Sequence, residues 1–395
     1  MASENPQQNG GAAPSTVDPA LAQEAQIPLQ SFALPTFPPE ASNLKALTLT
    51  SDIKLDEYSS QLEKAVPPVP ELPLGIQALT LELFALGYPP GFLKALADRL
   101  PSLRSLVVYS QLLAGTTEES HKDALAFFEK VSQSGLNALH LLDVFARTGF
   151  FTKVGSILEK NLSGGLRFLE VNYSYRHEDD DFLDRVPGMD LLSLIGPNLL
   201  TCALNLSKAD VTDDPDDPSN LDQEGKEIET GARNKKGIVP LDERFGTKLV
   251  EALLGDTAPI TLKALHATLY TITAHELSVI LDKHSGLVAL AMTVRLEPTP
   301  ECKRTFLEAL ASCNDLEQVE IVVFPSLDLM NEISSTKSEA LKSVAPSAEE
   351  MKALTKKCPK LTSLKMNIMK TDALGVVEWN RGESSGGWEG GLKQN

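Results

Sequence analysis

Long apolar runs are missing from this sequence, and none approaches the roughly 18 residues that a membrane-crossing helix needs. The amino terminus, MASENPQQNGGAAPSTVDPA, has neither a basic start nor an apolar stretch, so it does not read as a secretory signal. Cysteine is scarce. Cys202, Cys302, Cys313 and Cys358 contain no pair at metal-knuckle spacing, a usage that fits free thiols in a reducing compartment. Positive charge is short: 36 Lys and Arg stand against 54 Asp and Glu, for a formal net charge of −18. That balance opposes approach to phosphate backbones and anionic bilayers. Together these absences set the expectation of a cytoplasmic or nuclear protein with neither a nucleic acid nor a membrane as partner.

Signatures of catalysis are missing as well. There is no Gly-x-Ser-x-Gly elbow, no Walker loop and no Gly-x-Gly-x-x-Gly turn, and Ser163-Gly164-Gly165 reads as a turn ahead of a strand. His266, His275 and His284 are evenly spaced but too far apart for a His-x-x-x-His zinc pair. We read His266 as a polar strand residue and the others in this run as helix or loop surface. Cys202, Cys313 and Cys358 read as small buried hydrophobes. The expectation is no enzyme, no cofactor and no metal.

What the chain does have is leucine, at about one position in six, in a composition that is 42% hydrophobic and only 6% aromatic. Many small layers suit that mixture better than one large core. The pattern apolar-x-x-apolar-x-apolar occurs at Leu44/Leu47/Leu49, Ile76/Leu79/Leu81, Leu103/Leu106/Val108, Leu136/Leu139/Leu141, Leu166/Leu169/Val171 and Leu199/Cys202/Leu204. It resumes at Leu262/Leu265/Ala267, Leu287/Leu290/Met292, Leu316/Val319/Ile321 and Leu361/Leu364/Met366. The last two apolar positions of each motif point to one side of a short strand. Helical periodicity follows several motifs, as in Phe92, Leu93, Leu96 and Leu100. One strand plus one helix per ~30 residues cannot bury its apolar face alone, so neighbours must stack.

The fold class expected is therefore α/β: a leucine-rich-repeat solenoid, or horseshoe, with a concave parallel sheet and convex helices. A doubly wound α/β domain also alternates strand and helix, but it would show a Gly-rich phosphate loop. Residues 1–40 read as a disordered tail, residues 41–375 as about ten repeats with an acidic insertion at 208–240, and residues 376–395 as a cap hairpin and tail.

The segment Lys357-Cys358-Pro359-Lys360-Leu361-Thr362-Ser363-Leu364 resembles the Cys-Pro-x-Leu-x-x-Leu start of strands in cysteine-containing leucine-rich repeats. Ser312-Cys313-Asn314-Asp315-Leu316 and Leu100-Pro101-Ser102-Leu103 are weaker versions. Trp379 and Trp388 near the end are similar to the closing hairpin of fungal F-box and leucine-rich-repeat-like proteins. That resemblance implies a substrate-recognition subunit of a ubiquitin ligase. An F-box, a helical module of about forty residues ahead of the repeats, is not recognisable in the Pro-rich, polar segment that precedes them.

Residues between the leucines are expected on the concave side. They include Tyr109, His140, Phe168, Glu170, Asn172, Asn205, His266, Glu320 and Lys365 on a face otherwise small and hydroxylated. Aromatic anchors among small polar residues suit a protein partner; small residues are equally what tightly curved strands require. Two acidic runs follow adjacent strands: Glu178, Asp179, Asp180 and Asp181, then a longer one containing Asp213, Asp214, Asp216 and Asp217. They form either a rim for a basic partner or a solvated loop. The leading functional expectation is a non-catalytic scaffold that holds a protein partner. The ligase receptor is the second, and an enzyme on an α/β scaffold the third.

Overall fold

The computed structural model describes residues 23–160, 165–175, 185–208, 241, 243–369, 373–382 and 387–394. The strands are β1 Glu24–Leu29, β2 Ala46–Ser51, β3 Ala78–Glu82, β4 Ser105–Leu112, β5 Ala138–Phe145, β6 Phe168–Tyr175 and β7 Thr201–Lys208. They continue with β8 Ala264–Thr273, β9 Ala289–Leu296, β10 Gln318–Pro325, β11 Ser363–Met369, β12 Ala373–Arg381 and β13 Trp388–Gln394. All lie side by side in sequence order in one 13-stranded sheet. Pairing is parallel from β1 to β11 and antiparallel at β12 and β13. The described helices are α1 Leu55–Leu62, α2 Phe92–Asp98, α3 Glu118–Gln133, α4 Phe150–Glu159 and α5 Gly188–Leu191. After them come α6 Glu243–Leu254, α7 Ala274–Lys283, α8 Pro300–Ala311, α9 Leu327–Val344 and α10 Ala348–Lys357, with α9 kinked at Thr336.

The ten leucine motifs carry β2 to β11. Their register stacks Leu47, Leu79, Leu106, Leu139, Leu169, Cys202, Leu265, Leu290, Val319 and Leu364 in one column, each at most 2% exposed. Each such side chain, shielded from water by its neighbours and the helices, contributes about 1.5–3 kcal/mol. Strand and helix interiors merge into one apolar cluster. The carbonyl just before each strand adds a second regularity by accepting two N–H groups from the next rung. Gln77 O takes Arg104 N and Ser105 N at 2.8 and 3.0 Å, Arg104 O takes Asn137 N and Ala138 N, and Asn137 O takes Arg167 N and Phe168 N.

A third column seals the helix ends, where the last carbonyls lack intrahelical partners. His284 Nε2 donates to Leu253 O at 2.9 Å, Cys313 Sγ to Leu281 O at 3.5 Å and Cys358 Sγ to Leu310 O at 3.0 Å. Burial pushes all three thiols of the leucine and strand-start positions upward, Cys202 and Cys313 to about 12 and Cys358 to about 11. All three cysteines are buried, as the sequence leads one to expect, and Cys313 and Cys358 cap helix ends as well.

Four expectations need correction. Residues 23–38 are not part of a disordered tail: β1 pairs with β2, and Phe32, 4% exposed, packs on Tyr58, Phe84, Tyr88 and Phe92. That adds a parallel strand ahead of the ten motifs. The antiparallel strand β12 begins at Ala373, before the position 376 assigned to the cap. His284, read as surface, is 5% exposed because the previous repeat supplies its acceptor, and His121 is 8% exposed against Phe150. Thr293, which follows Met292 of the eighth motif and by alternation is expected on the concave side, is 1% exposed because a bulge in β8 brings Thr268 O over its hydroxyl at 2.9 Å.

Candidate functional site

The sheet face opposite the leucine columns carries the sequence-predicted residues in three rows. The middle row runs His140, Glu170, Ala203, His266, Ala291, Glu320 and Lys365 across seven consecutive rungs. His140 Nδ1 and Glu170 Oε2 lie 2.8 Å apart, and Lys365 Nζ lies 3.6 Å from Glu320 Oε1. His266 sits between them, one alanine rung from each carboxylate. Burial lowers its pKa, and Glu320 and Glu170 pull the other way. At a strand spacing of about 4.8 Å, each carboxylate is about 10 Å from His266 along the row. That separation is too wide for a hydrogen-bonded acid–base pair, so the row is a charge pattern rather than a proton relay. Next to it, Ser207 Oγ donates to Asn172 Oδ1 at 3.2 Å and Thr268 Oγ1 to Asn205 Oδ1 at 3.4 Å.

The two aromatic candidates are both exposed, Tyr109 at 40% and Phe168 at 42%. The structure does not bring them together. Tyr109 is in register with Leu142 and Asn172, four residues along β6 from Phe168. They therefore occupy opposite corners of a three-strand patch, about 16 Å apart by strand geometry.

The corner around Tyr109 has a feature that residue types alone hide. Leu83, Ser110 and Asp143 adopt left-handed backbone, with φ of 61°, 50° and 52°. They directly follow Glu82, Tyr109 and Leu142, which are in register on β3, β4 and β5. Three adjacent rungs thus kink at one level, and none of the three is glycine. Such a conformation costs about 1–3 kcal/mol per residue and is kept where surrounding contacts over-determine it. Here Leu83 N donates to Tyr109 O at 3.0 Å, Gln111 Nε2 donates to Leu81 O at 2.9 Å, and Ser174 N donates to Asp143 Oδ1 at 2.6 Å. The kink leaves Leu83 46% exposed next to Tyr109.

Glu178, Asp179, Asp180, Asp181, Asp213, Asp214, Asp216 and Asp217 lie outside the described residues. Among the described residues no cluster of three or more His, Cys, Asp or Glu is placed to hold a metal ion, and no helix is long and apolar enough to cross a membrane.

The architecture is an open α/β solenoid of leucine-rich-repeat type, with one sheet face that none of the described helices covers. No protein-family model matches the chain, and no curated protein matches it. Among solved structures it is similar to one described as the crystal structure of the Rad7 and Elc1 complex in yeast. The identity is 15% and the TM-score 0.31, over 81% of this chain and 75% of that one. A likeness at that level speaks to neither curvature nor function.

Proposed function

We propose that this protein is a non-catalytic interaction scaffold whose open sheet face holds a protein partner, anchored at the corner formed by Leu83, Tyr109 and Leu142. The observation that carries this reading is the triple kink. Three rungs hold strained backbone at one level, and the strain coincides with exposed Leu83 and Tyr109. A few anchor residues, enriched in tyrosine, supply most of the binding energy at protein interfaces. Glu170 and Glu320 along the middle row suit basic side chains of the partner. Phe168 provides a separate contact at the far corner.

The test is crosslinking mass spectrometry of complexes formed by the full chain in native extract, repeated with Tyr109→Ala. A specific partner should crosslink to β3–β5, and Tyr109→Ala should lower its recovery at least tenfold, as truncating an anchor residue does. Recovery unchanged by Tyr109→Ala and by the Glu170→Ala/Glu320→Ala pair would defeat the reading. A second reading, a ubiquitin-ligase substrate receptor, is supported by the Cys-Pro-x-Leu strand starts at Cys358 and, in weaker form, Cys313. It requires binding of the full chain to the ligase's adaptor subunit, and no binding would remove it.

A further inference from the structure

Away from the open face, the rim where strands begin carries a polar hollow of about 700 Å³. Its floor belongs to the bifurcated carbonyl column, since Arg104, Asn137 and Arg167 each directly precede β4, β5 and β6. Arg104 and Arg167 are therefore two rungs apart, about 10 Å between Cα atoms. Both side chains are exposed and both line the hollow, with Asn137 between them and Gln133 and Ser134 at its wall.

The charge here is opposite to that of the chain. None of the ten lining residues is acidic, although the protein has 54 Asp and Glu. Residues 161–164, which lead into the lining residue Gly165, are Asn-Leu-Ser-Gly and add no charge. Other described arginines have partners: Arg99 pairs with Glu71, Arg147 with Glu118, Arg295 with Glu243 and Arg304 with Glu301, and Arg185, Arg244 and Arg381 are also engaged. Among the described residues, Arg104 and Arg167 alone of the arginines have side chains with no hydrogen-bond or ion-pair partner, and they share one hollow.

We propose that this hollow is a binding site for a phosphate monoester, held between the guanidinium groups of Arg104 and Arg167. Each guanidinium offers a planar fork of donors, and two such forks from opposite sides match an anion with three equivalent oxygens. A carboxylate, with two oxygens, would be saturated by one of them. The amides of Asn137 and Gln133 extend the donor set toward the ester side. A nucleic-acid phosphodiester, singly charged and part of a polyanion, would instead meet the net charge of −18. The site is independent of the open-face reading and survives its failure.

The experiment is calorimetric titration of the full chain with O-phospho-L-serine, with serine and sulfate as controls at matched ionic strength. O-phosphoserine should bind, serine should not, and sulfate should bind at least tenfold more weakly. Affinity should rise from pH 5.5 to 7.5 as the monoester loses its second proton near pH 6. Arg104→Ala and Arg167→Ala should each weaken binding at least tenfold, while Lys365→Ala on the open face leaves it unchanged. Circular dichroism confirms that the exposed-site variants fold. A phosphoserine peptide that binds more tightly than the free amino acid would make the source a modified protein, and equal affinities would make it a small phosphorylated metabolite. Binding that sulfate matches, that persists in the Arg104→Ala/Arg167→Ala double variant, or that single-stranded RNA outcompetes would overturn the proposal.

Discussion

Two stretches of the helical layer solve the same problem in different ways. The first N–H groups of any helix lack internal acceptors. In the amino-terminal half, α2 and α4 start at Gly91 and Gly149, both left-handed at φ 94° and 81°, and neither has a side-chain cap of its own. Their acceptors come from elsewhere. Asp123 on α3, 8% exposed, accepts from Leu93 N at 2.9 Å and Lys94 N at 3.2 Å, and Asp190 on α5 accepts from Gly149 N. In the carboxyl-terminal half, α7 and α10 cap themselves with reciprocal boxes, Thr273 with Glu276 and Ser347 with Glu350. A self-capped helix carries its start signal locally, whereas a neighbour-capped helix forms its start only once the next repeat is docked. The amino-terminal rungs should therefore open together, and the carboxyl-terminal ones more independently.

The largest effect that would break this contrast is Asp123→Ala. It leaves the buried Leu93 N–H and the part-buried Lys94 N–H without their carboxylate acceptor and should cost about 2–3 kcal/mol, read by urea denaturation. Amide exchange should quicken across α2 and its flanking strands β3 and β4, not at Leu93 and Lys94 alone. Exchange confined to those two amides would show that the cap is local after all. Thr273→Ala in the other half should cost about 1 kcal/mol and quicken exchange only in the first turn of α7. Because the two sites are far apart in the repeat order, the double variant should lose close to the sum.

The same contrast explains how much was readable in the sequence. Strands β2 to β11 were legible because each repeat restates its own leucines at fixed offsets. The side-chain caps of α7 and α10 follow the Ser/Thr-x-x-Glu rule and are legible for the same reason. Features completed by another repeat were not. The burial of His284 depends on Leu253 O, and β1, with the pattern EAQIPL, is held by an aromatic cluster spread from Phe32 to Phe92. On the candidate face, alternation puts His140, Glu170, His266, Glu320 and Lys365 between the leucines, and the register aligns them in one row. The kink at Leu83, Ser110 and Asp143 left no trace, because leucine, serine and aspartate share no turn preference. The unpaired arginines were visible as residues but not as a pair, since only the register shows that Arg104 and Arg167 are two rungs apart.

A smaller effect sharpens the comparison through thiol chemistry. Only the thiolate reacts appreciably, and burial keeps Cys202, Cys313 and Cys358 protonated at neutral pH. Iodoacetamide at pH 8 should label half-buried Cys302 first and the other three only as their repeats open. Cys313 and Cys358 report on the carboxyl-terminal half and Cys202 on the middle. In submolar urea, labelling of Cys358 ahead of Cys202 would mark the carboxyl-terminal repeats as opening on their own. Simultaneous labelling would mean that the solenoid opens as one unit.

The smallest effect is the dependence of stability on pH, and its sign differs between two buried groups, His284 and Asp123. Burial lowers the pKa of His284, so the folded protein keeps it neutral at a pH where the unfolded chain, titrating near 6.5, already takes up a proton. Its contribution is complete above pH 6.5 and is lost as pH falls through that value toward the folded one. Asp123 runs the other way. Burial raises its pKa, so between the ordinary carboxylate value and the raised one the folded state binds the proton first, and acidification there favours folding. Denaturation midpoints should therefore decline from pH 7.5 to 5.5, then flatten as Asp123 begins to titrate. His284→Gln keeps a donor for Leu253 O without a titrating ring, so it should reduce the decline while changing stability little at pH 7.5. A decline of the same size in that variant would assign it to the other histidines whose pKa burial lowers, His121 and His266.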